Sequence, residues 1–269
     1  MSDPDRFPTS PTATDRRPRV ALFVTCLVNV MRPTIADCTI ALLEAAGADV
    51  AVPLDQTCCG QPAFNSGDEK GGARLAKRQI ALLEPYDYVV LPSGSCASTI
   101  IHTWPESLKD EPEWQRRATA LAGRTHEVLS FLTDVLKFSP QPPALRTTAT
   151  YHDTCSGLRE LGISAQPRQL LAAVEGLELR PLPDANVCCG FGGTFCVKYP
   201  AISNAIVGEK ADAIESTGAR MLLGGDLGCL MNMAGKLQRR GSDVRVYHTV
   251  EVLAGATDRP AIGHGSDGR

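Results

Sequence analysis

The chain has 269 residues, 43% of them apolar and 21% charged, with a net charge of −3. That length suits one large domain or two of ordinary size, and the apolar share is enough for a buried core. The charge is too small to steer the chain to nucleic acid or an anionic membrane, and no apolar stretch reaches the roughly 18 residues of a spanning helix.

Residues 1–18, rich in Pro, Thr, Asp and Arg, predict a disordered tail. Arg16-Arg17 ahead of the apolar run from Val20 loosely resembles a twin-arginine or secretory signal. Pro18 interrupts it and no small-residue cleavage site follows, so the expectation is a tail before a buried strand and a reducing, cytoplasmic setting for the thiols.

The first repeat is expected over residues 19–138. A strand over 19–25 runs into Cys26, and a helical pattern over 33–46 stops at Gly47. A second strand over 49–54 precedes Cys58-Cys59-Gly60, and a helix is expected over 69–83. A third strand over 86–91 precedes Cys96, and helical stretches over 113–121 and 126–138 close the half. The Pro-rich stretch 139–146 reads as a linker. The second repeat, 147–255, carries strands over 148–152, 177–182, 220–223 and 243–247. These lead to Cys155, to Cys188-Cys189-Gly190, to Cys229 and to a final short helix; a long helix is expected over 202–216, and 256–269 reads as a second tail. Short apolar strands alternating with amphipathic helices predict an α/β fold of two tandem Rossmann-like repeats. Each would have a parallel sheet with its cysteines at the carboxyl ends of strands, where open parallel sheets bind ligands.

The cysteines themselves reveal the duplication. Cys26 and Cys155 stand 129 apart, Cys58 and Cys188 130, Cys59 and Cys189 130, and Cys96 and Cys229 133. Each half thus offers four thiols, and soft thiolates select iron–sulfur clusters or zinc. No Cys-x-x-Cys knuckle is present, which weakens the case for a zinc ribbon or a thioredoxin-type site. Gly60 and Gly190, with Gly192 and Gly193, permit close backbone approach and N–H donation to sulfur. A zinc-stabilised scaffold without redox chemistry, and a thiol–disulfide enzyme using Cys188-Cys189, remain open alternatives on the residues alone. Cys38, inside a helical pattern and without a repeat partner, reads as core. Cys196 follows the Gly-rich loop and is a spare-ligand candidate. His152, three residues before Cys155, reads either as an ordinary hydrogen-bonding histidine or as a contact to the bound group. Asp153, Arg159 and Glu160 read either as a polar rim at the second site or as a solvated helix start.

The pattern Cys-x31-Cys-Cys-Gly then Cys96, repeated as Cys-x32-Cys-Cys-Gly then Cys229, resembles the duplicated cysteine-rich CCG domain. That domain occurs in heterodisulfide reductases and in iron–sulfur subunits of glycolate and anaerobic glycerol-3-phosphate dehydrogenases. The flanks Leu91-Pro-Ser-Gly-Ser-Cys96, Tyr151-His-Asp-Thr-Cys155 and Cys188-Cys-Gly-Phe-Gly-Gly-Thr194 are most similar to the lactate-utilisation branch. The resemblance implies one iron–sulfur cluster per repeat, of 4Fe–4S type, held by Cys26, Cys58, Cys59 and Cys96 and by Cys155, Cys188, Cys189 and Cys229. It implies electron transfer during oxidation of L-lactate to pyruvate, or of another 2-hydroxy acid such as glycolate. The implied partners are a ferredoxin-type iron–sulfur subunit and a third lactate-utilisation protein. One departure stands out: the heterodisulfide branch has a further cysteine where this chain has Ser93 and Asp226, so four thiols rather than five remain per site.

Overall fold

The computed structural model describes residues 16–264. Two four-stranded sheets carry the fold, and every strand pair in them is parallel. The first contains β1 (Arg19–Leu22), β2 (Asp49–Ala51), β3 (Tyr88–Leu91) and β4 (Thr125–Glu127) in the order β2-β1-β3-β4. The second contains β5 (Thr147–His152), β6 (Leu177–Arg180), β7 (Met221–Gly224) and β8 (Arg245–His248) in the order β6-β5-β7-β8. The α/β expectation and the tandem repeat therefore hold. Val20, Ala21, Leu22, Val89, Val90 and Leu91 are wholly buried, as central parallel strands covered on both faces must be.

The expected helix over 126–138 begins instead as β4, which pairs with β3 through Val89↔Thr125, Val90↔His126 and Leu91↔Glu127. Its Thr-His-Glu sequence has no apolar residue to signal a strand; the neighbouring strand holds it in place. Several helices, three of them short, start where only loops were expected. Cys26–Met31 follows β1, Gly94–Ser98 follows β3, Cys155–Arg159 follows β5, and Leu227–Arg239 follows β7. Caps start three of them: Ser93 accepts from the Cys96 N–H, Thr154 from the Gly157 N–H and Asp226 from the Gly228 N–H.

The halves exchange their closing helices. After β8, Thr249–Leu253 packs on Thr34–Ala45 of the first half; after β4, Val128–Ser130 and the π turn Phe131–Val135 pack on Ala165–Leu171 of the second. One apolar core consequently runs through both repeats, joining Leu22, Leu43, Phe131 and Leu132 to Leu170, Leu171, Val250 and Leu253. A second core, around Phe23, Ile80, Leu91 and Trp104, belongs to the first half. Arg32 Nε donates to Glu251 Oε1 at 2.8 Å across the junction, with Glu251 fully buried.

The segment 139–146 has no regular structure. Ala261 and Ile262, in the stretch expected as a tail, are buried, and the Ile262 N–H donates to the Val246 carbonyl at 2.9 Å. Residues 1–15 and 265–269 of the two expected tails lie outside the described residues. Among the described residues no helix is long and apolar enough to cross a membrane.

Candidate functional site

In the order β2-β1-β3-β4 the chain leaves β1 to one side and returns to β3 on the other. Such a reversal opens a crevice at the carboxyl ends of the two strands. Cys26 opens the helix that follows β1, and Cys96 lies in the first turn of the helix that follows β3. Cys58 and Cys59 come from the loop after β2. The four thiols meet there: Cys26 Sγ is 3.7 Å from Cys58 Sγ, and Cys59 Sγ is 3.3 Å from Cys96 Sγ. The second sheet repeats the arrangement at β5 and β7. Cys188 contacts Cys155 and Cys189, and Cys189 contacts Cys229. All ten cysteines are free thiols.

The surroundings repeat as well. The N–H of Gly60 points at Cys58 Sγ at 3.5 Å and that of Gly190 at Cys188 Sγ at 3.3 Å. Both glycines have positive φ, +90° and +79°, and a Cβ on Gly190 would stand 2.8 Å from the Ser203 carbonyl oxygen. Trp104 Nε1 donates to the Cys59 carbonyl at 2.8 Å, and Asn232 Nδ2 donates to the Cys189 carbonyl at 2.9 Å. Each Cys-Cys peptide is thus held from behind while its sulfurs face the crevice.

Protons are unevenly shared within each set. Cys58 is drawn down to about 3 and Cys188 to about 2, chiefly because Cys26 and Cys155 donate to them. Cys26, Cys59, Cys155 and Cys189 are pushed up, chiefly because their thiols are the donors to Cys58 and Cys188 and secondarily by burial. A thiolate flanked by protonated thiols binds a cationic group by releasing those protons.

Two cavities border the thiols. One of about 220 Å³ touches Cys26, Cys58, Cys59 and Cys96; one of about 140 Å³ touches Cys155, Cys188, Cys189 and Cys229. Gln61, Ser95, Phe191, Gly193 and Asp226 line both, so the two sites stand back to back across one wall. That wall is where Ser93 and Asp226 went. They pair as an isolated antiparallel bridge, and Asp226 Oδ2 accepts from Ser93 Oγ at 2.9 Å and from Ser95 Oγ at 2.7 Å. At both positions where the heterodisulfide pattern has a cysteine, this chain has a helix cap that also joins the halves.

His152 is fully buried, and neither ring nitrogen has a hydrogen-bond partner. One of its nitrogens lies within 4.8 Å of the sulfurs of Cys189 and Cys229. Burial, with Lys210 adding to it, draws its pKa down to about 3, so the ring is neutral. The other candidates stand apart. Cys38 is buried in Thr34–Ala45. Cys196 Sγ donates to the Gly193 carbonyl at 3.4 Å. Asp153 is paired with Arg168 at 2.7 Å, Arg159 Nη2 donates to the Asn186 carbonyl at 2.9 Å, and Glu160 accepts from Ser98 Oγ. None of these three lines either cavity. Sequence reasoning missed Lys210, a buried lysine on the helix Pro200–Ser216 whose Nζ donates to the Asp184 carbonyl at 2.7 Å. A lysine on the apolar face of a helix was the available signal.

Comparison with known proteins agrees with the duplication. The cysteine-rich domain family CCG matches residues 20–101 and again 149–234. The chain is 47% identical over 235 residues to lactate utilization protein A of Halalkalibacterium halodurans, covering 87% of this chain and 96% of that protein. It is 44% identical over 235 residues to lactate utilization protein A of Bacillus cytotoxicus, covering 87% of this chain and 98% of that protein. A solved structure of a hypothetical protein from Helicobacter pylori superposes with a TM-score of 0.65 at 11% identity. This chain is covered over 93% of its length and spans 50% of that one; the likeness is one of fold.

Proposed function

We propose, from the premise that this chain belongs to the cysteine-rich CCG domain family, that it is an iron–sulfur electron-transfer protein of an L-lactate oxidation system. The observation that carries the reading is the repeated set of four thiols at two strand-order reversals, back to back across a shared wall. Four thiolates with N–H donors and a cavity beside them fit an iron–sulfur cluster of 4Fe–4S type in each half. Cys26, Cys58, Cys59 and Cys96 would hold one, and Cys155, Cys188, Cys189 and Cys229 the other. Such a cluster, when bound, takes up and returns one electron at a time.

The chain's own residues do the rest. Gly60 and Gly190 direct N–H groups at sulfur and so favour the more negative, reduced state. Trp104 and Asn232 fix the paired cysteines, and burial of Cys59 and Cys189 keeps water from them. Among the described residues no Gly-x-Gly-x-x-Gly follows a strand, so no nicotinamide or flavin site of that kind is available at their strand ends to take a hydride from lactate. Electrons reach it through partners, a ferredoxin-type iron–sulfur subunit and a third lactate-utilisation protein. Cys26 is exposed, and Val30, Met31 and Leu54 stand exposed in the cavity rim beside it or next to that rim, an apolar surface for such a partner.

The test is anaerobic visible absorbance. Adding L-lactate bleaches the protein only when both partners are present; bleaching of the isolated chain would make it the dehydrogenase itself. Glycolate in place of lactate distinguishes the two hydroxy acids. A second reading has a specific observation behind it. Sulfur contacts of 3.3 and 3.7 Å suit a single tetrahedral ion, since Zn–S bonds of about 2.3 Å imply edges of about 3.8 Å. A colourless protein with one zinc per half and no sulfide would establish that reading instead.

A further inference from the structure

The two centres are built to one plan but differ in charge. The long helix after each Cys-Cys-Gly, Glu69–Leu83 in the first half and Pro200–Ser216 in the second, sits in the same register: Gly60 faces the Gly72 carbonyl, and Gly190 faces the Ser203 carbonyl. Seven residues further along stand Gln79 in the first half and Lys210 in the second. Both are buried, and both reach the loop that precedes the paired cysteines. Gln79 makes neutral bonds, Nε2 donating to Thr57 Oγ1 at 3.0 Å and Oε1 accepting from the Thr57 N–H at 3.3 Å. Lys210 Nζ donates to the carbonyls of Asp184 at 2.7 Å and Ala185 at 3.4 Å. Carbonyl oxygens only accept, so they suit an ammonium; burial lowers the Lys210 pKa, and the neighbouring Cys189, Cys155 and Cys188 oppose that shift.

A second difference falls three residues before the first cysteine of each set. The first half has Phe23, fully buried and without a polar atom; the second has His152, fully buried with both ring nitrogens unpartnered and one of them beside Cys189 and Cys229. A neutral imidazole there carries one N–H, which has no hydrogen-bond partner, and the sulfurs of Cys189 and Cys229 lie within 4.8 Å of one of its nitrogens. Both differences act in one direction. A buried positive charge, and an imidazole N–H turned to sulfur when a cluster is bound, would each stabilise the state with one more electron, and low local dielectric strengthens both.

We propose that Lys210 and His152 make the second-half centre the easier of the two to reduce, so that an electron entering at the first half comes to rest in the second. The transfer moves one electron from the reduced first-half centre to the oxidised second-half centre; no bond forms or breaks. The inference rests on the iron–sulfur reading above.

The experiment is an anaerobic potentiometric titration with dithionite as reductant, followed by EPR. The Cys229→Ser and Cys96→Ser proteins, each retaining one centre, assign the signals to the first and second half. The second-half midpoint is expected above the first. Lys210→Met and His152→Phe each shift it downward with the first-half midpoint unmoved, and Gln79→Lys shifts the first-half midpoint upward. Equal or reversed midpoints in the unaltered protein, or variants with full iron and unshifted midpoints, overturn the inference. Where Lys210→Met loses the second centre, the Gln79→Lys shift decides alone. Protein without iron and sulfide fails the iron–sulfur reading instead, and metal analysis reports that separately.

Discussion

Glu251 is the residue whose removal tests most sharply whether the repeats fold as one body. Its Oε1 accepts from Arg32 Nε at 2.8 Å and from Thr34 Oγ1 at 2.8 Å, and its Oε2 accepts from the His248 N–H at 3.0 Å. The first two partners belong to the first half and the third to the second. The Glu251 side chain is 0% exposed and that of Arg32 is 14% exposed. Removing one member of such a buried pair leaves the other charge uncompensated, at a cost of about 3–5 kcal/mol. Against a total stability of about 5–15 kcal/mol that is a large fraction. Glu251→Ala is therefore expected to lower the stability read from urea denaturation by that amount. Trp104 and Trp114, the chain's only tryptophans, both lie in the first half and give a local reading by fluorescence. Their transition should shift together with the far-UV circular dichroism, although the altered residue lies in the second half. The pair Arg32→Met with Glu251→Leu should recover most of the loss, because it removes the stranded charge along with its partner. A tryptophan transition within about 0.5 kcal/mol of the unaltered protein would refute the idea that the exchanged helices latch the halves together.

Other consequences concern single side chains. Glu127 is fully buried with Oε1 unpartnered, and burial raises its pKa from 4.5 to about 8. The folded state then holds a proton that the unfolded state gives up, so Glu127's contribution is full below pH about 4.5 and is lost as pH rises to about 8. At about 1.4 kcal/mol per pKa unit the upper bound is about 5 kcal/mol. Glu127→Gln keeps the cap on the Leu129 and Ser130 N–H groups and should flatten the dependence of thermal midpoint on pH across that range; an unchanged slope would contradict the assignment. Cys38→Ala should leave metal content unchanged and cost about 1 kcal/mol, measured by metal analysis and denaturation, since Cys38 is a core residue that lines neither thiol cavity. Asp226→Ala removes the acceptor for Ser93, Ser95 and the Gly228 N–H, and a loss of about 1–3 kcal/mol in urea denaturation is expected.

The parts of this molecule that can be read from its sequence are those written twice. The near-constant offset of four cysteines exposes the duplication, and apolar runs such as Val20–Leu22 and Tyr88–Leu91 announce their strands. β4 is invisible because Thr125, His126 and Glu127 owe their strand pairing to β3 rather than to their own side chains. The helices that begin at Cys26 and Cys155 are too short for a periodic pattern. The wall shared by the two sites is a contact between residues 133 positions apart, Ser93 and Asp226, and local patterning carries no trace of it. Lys210 escaped notice for a related reason. A lysine is normally assigned to a solvated face, and only its spacing from Ser203, Val207 and Ile214 along the helix places this one inside.

The most direct test of the account is the iron and acid-labile sulfide content of anaerobically prepared protein, alongside that of Cys59→Ser and Cys189→Ser. Each half is expected to hold one cluster independently, through its own four thiols. The unaltered protein should then contain iron and sulfide in equal amounts, and each variant should retain about half of both, because losing one of four thiolates abolishes a site. Full retention of iron in both variants, or iron absent from the unaltered protein, would contradict the account.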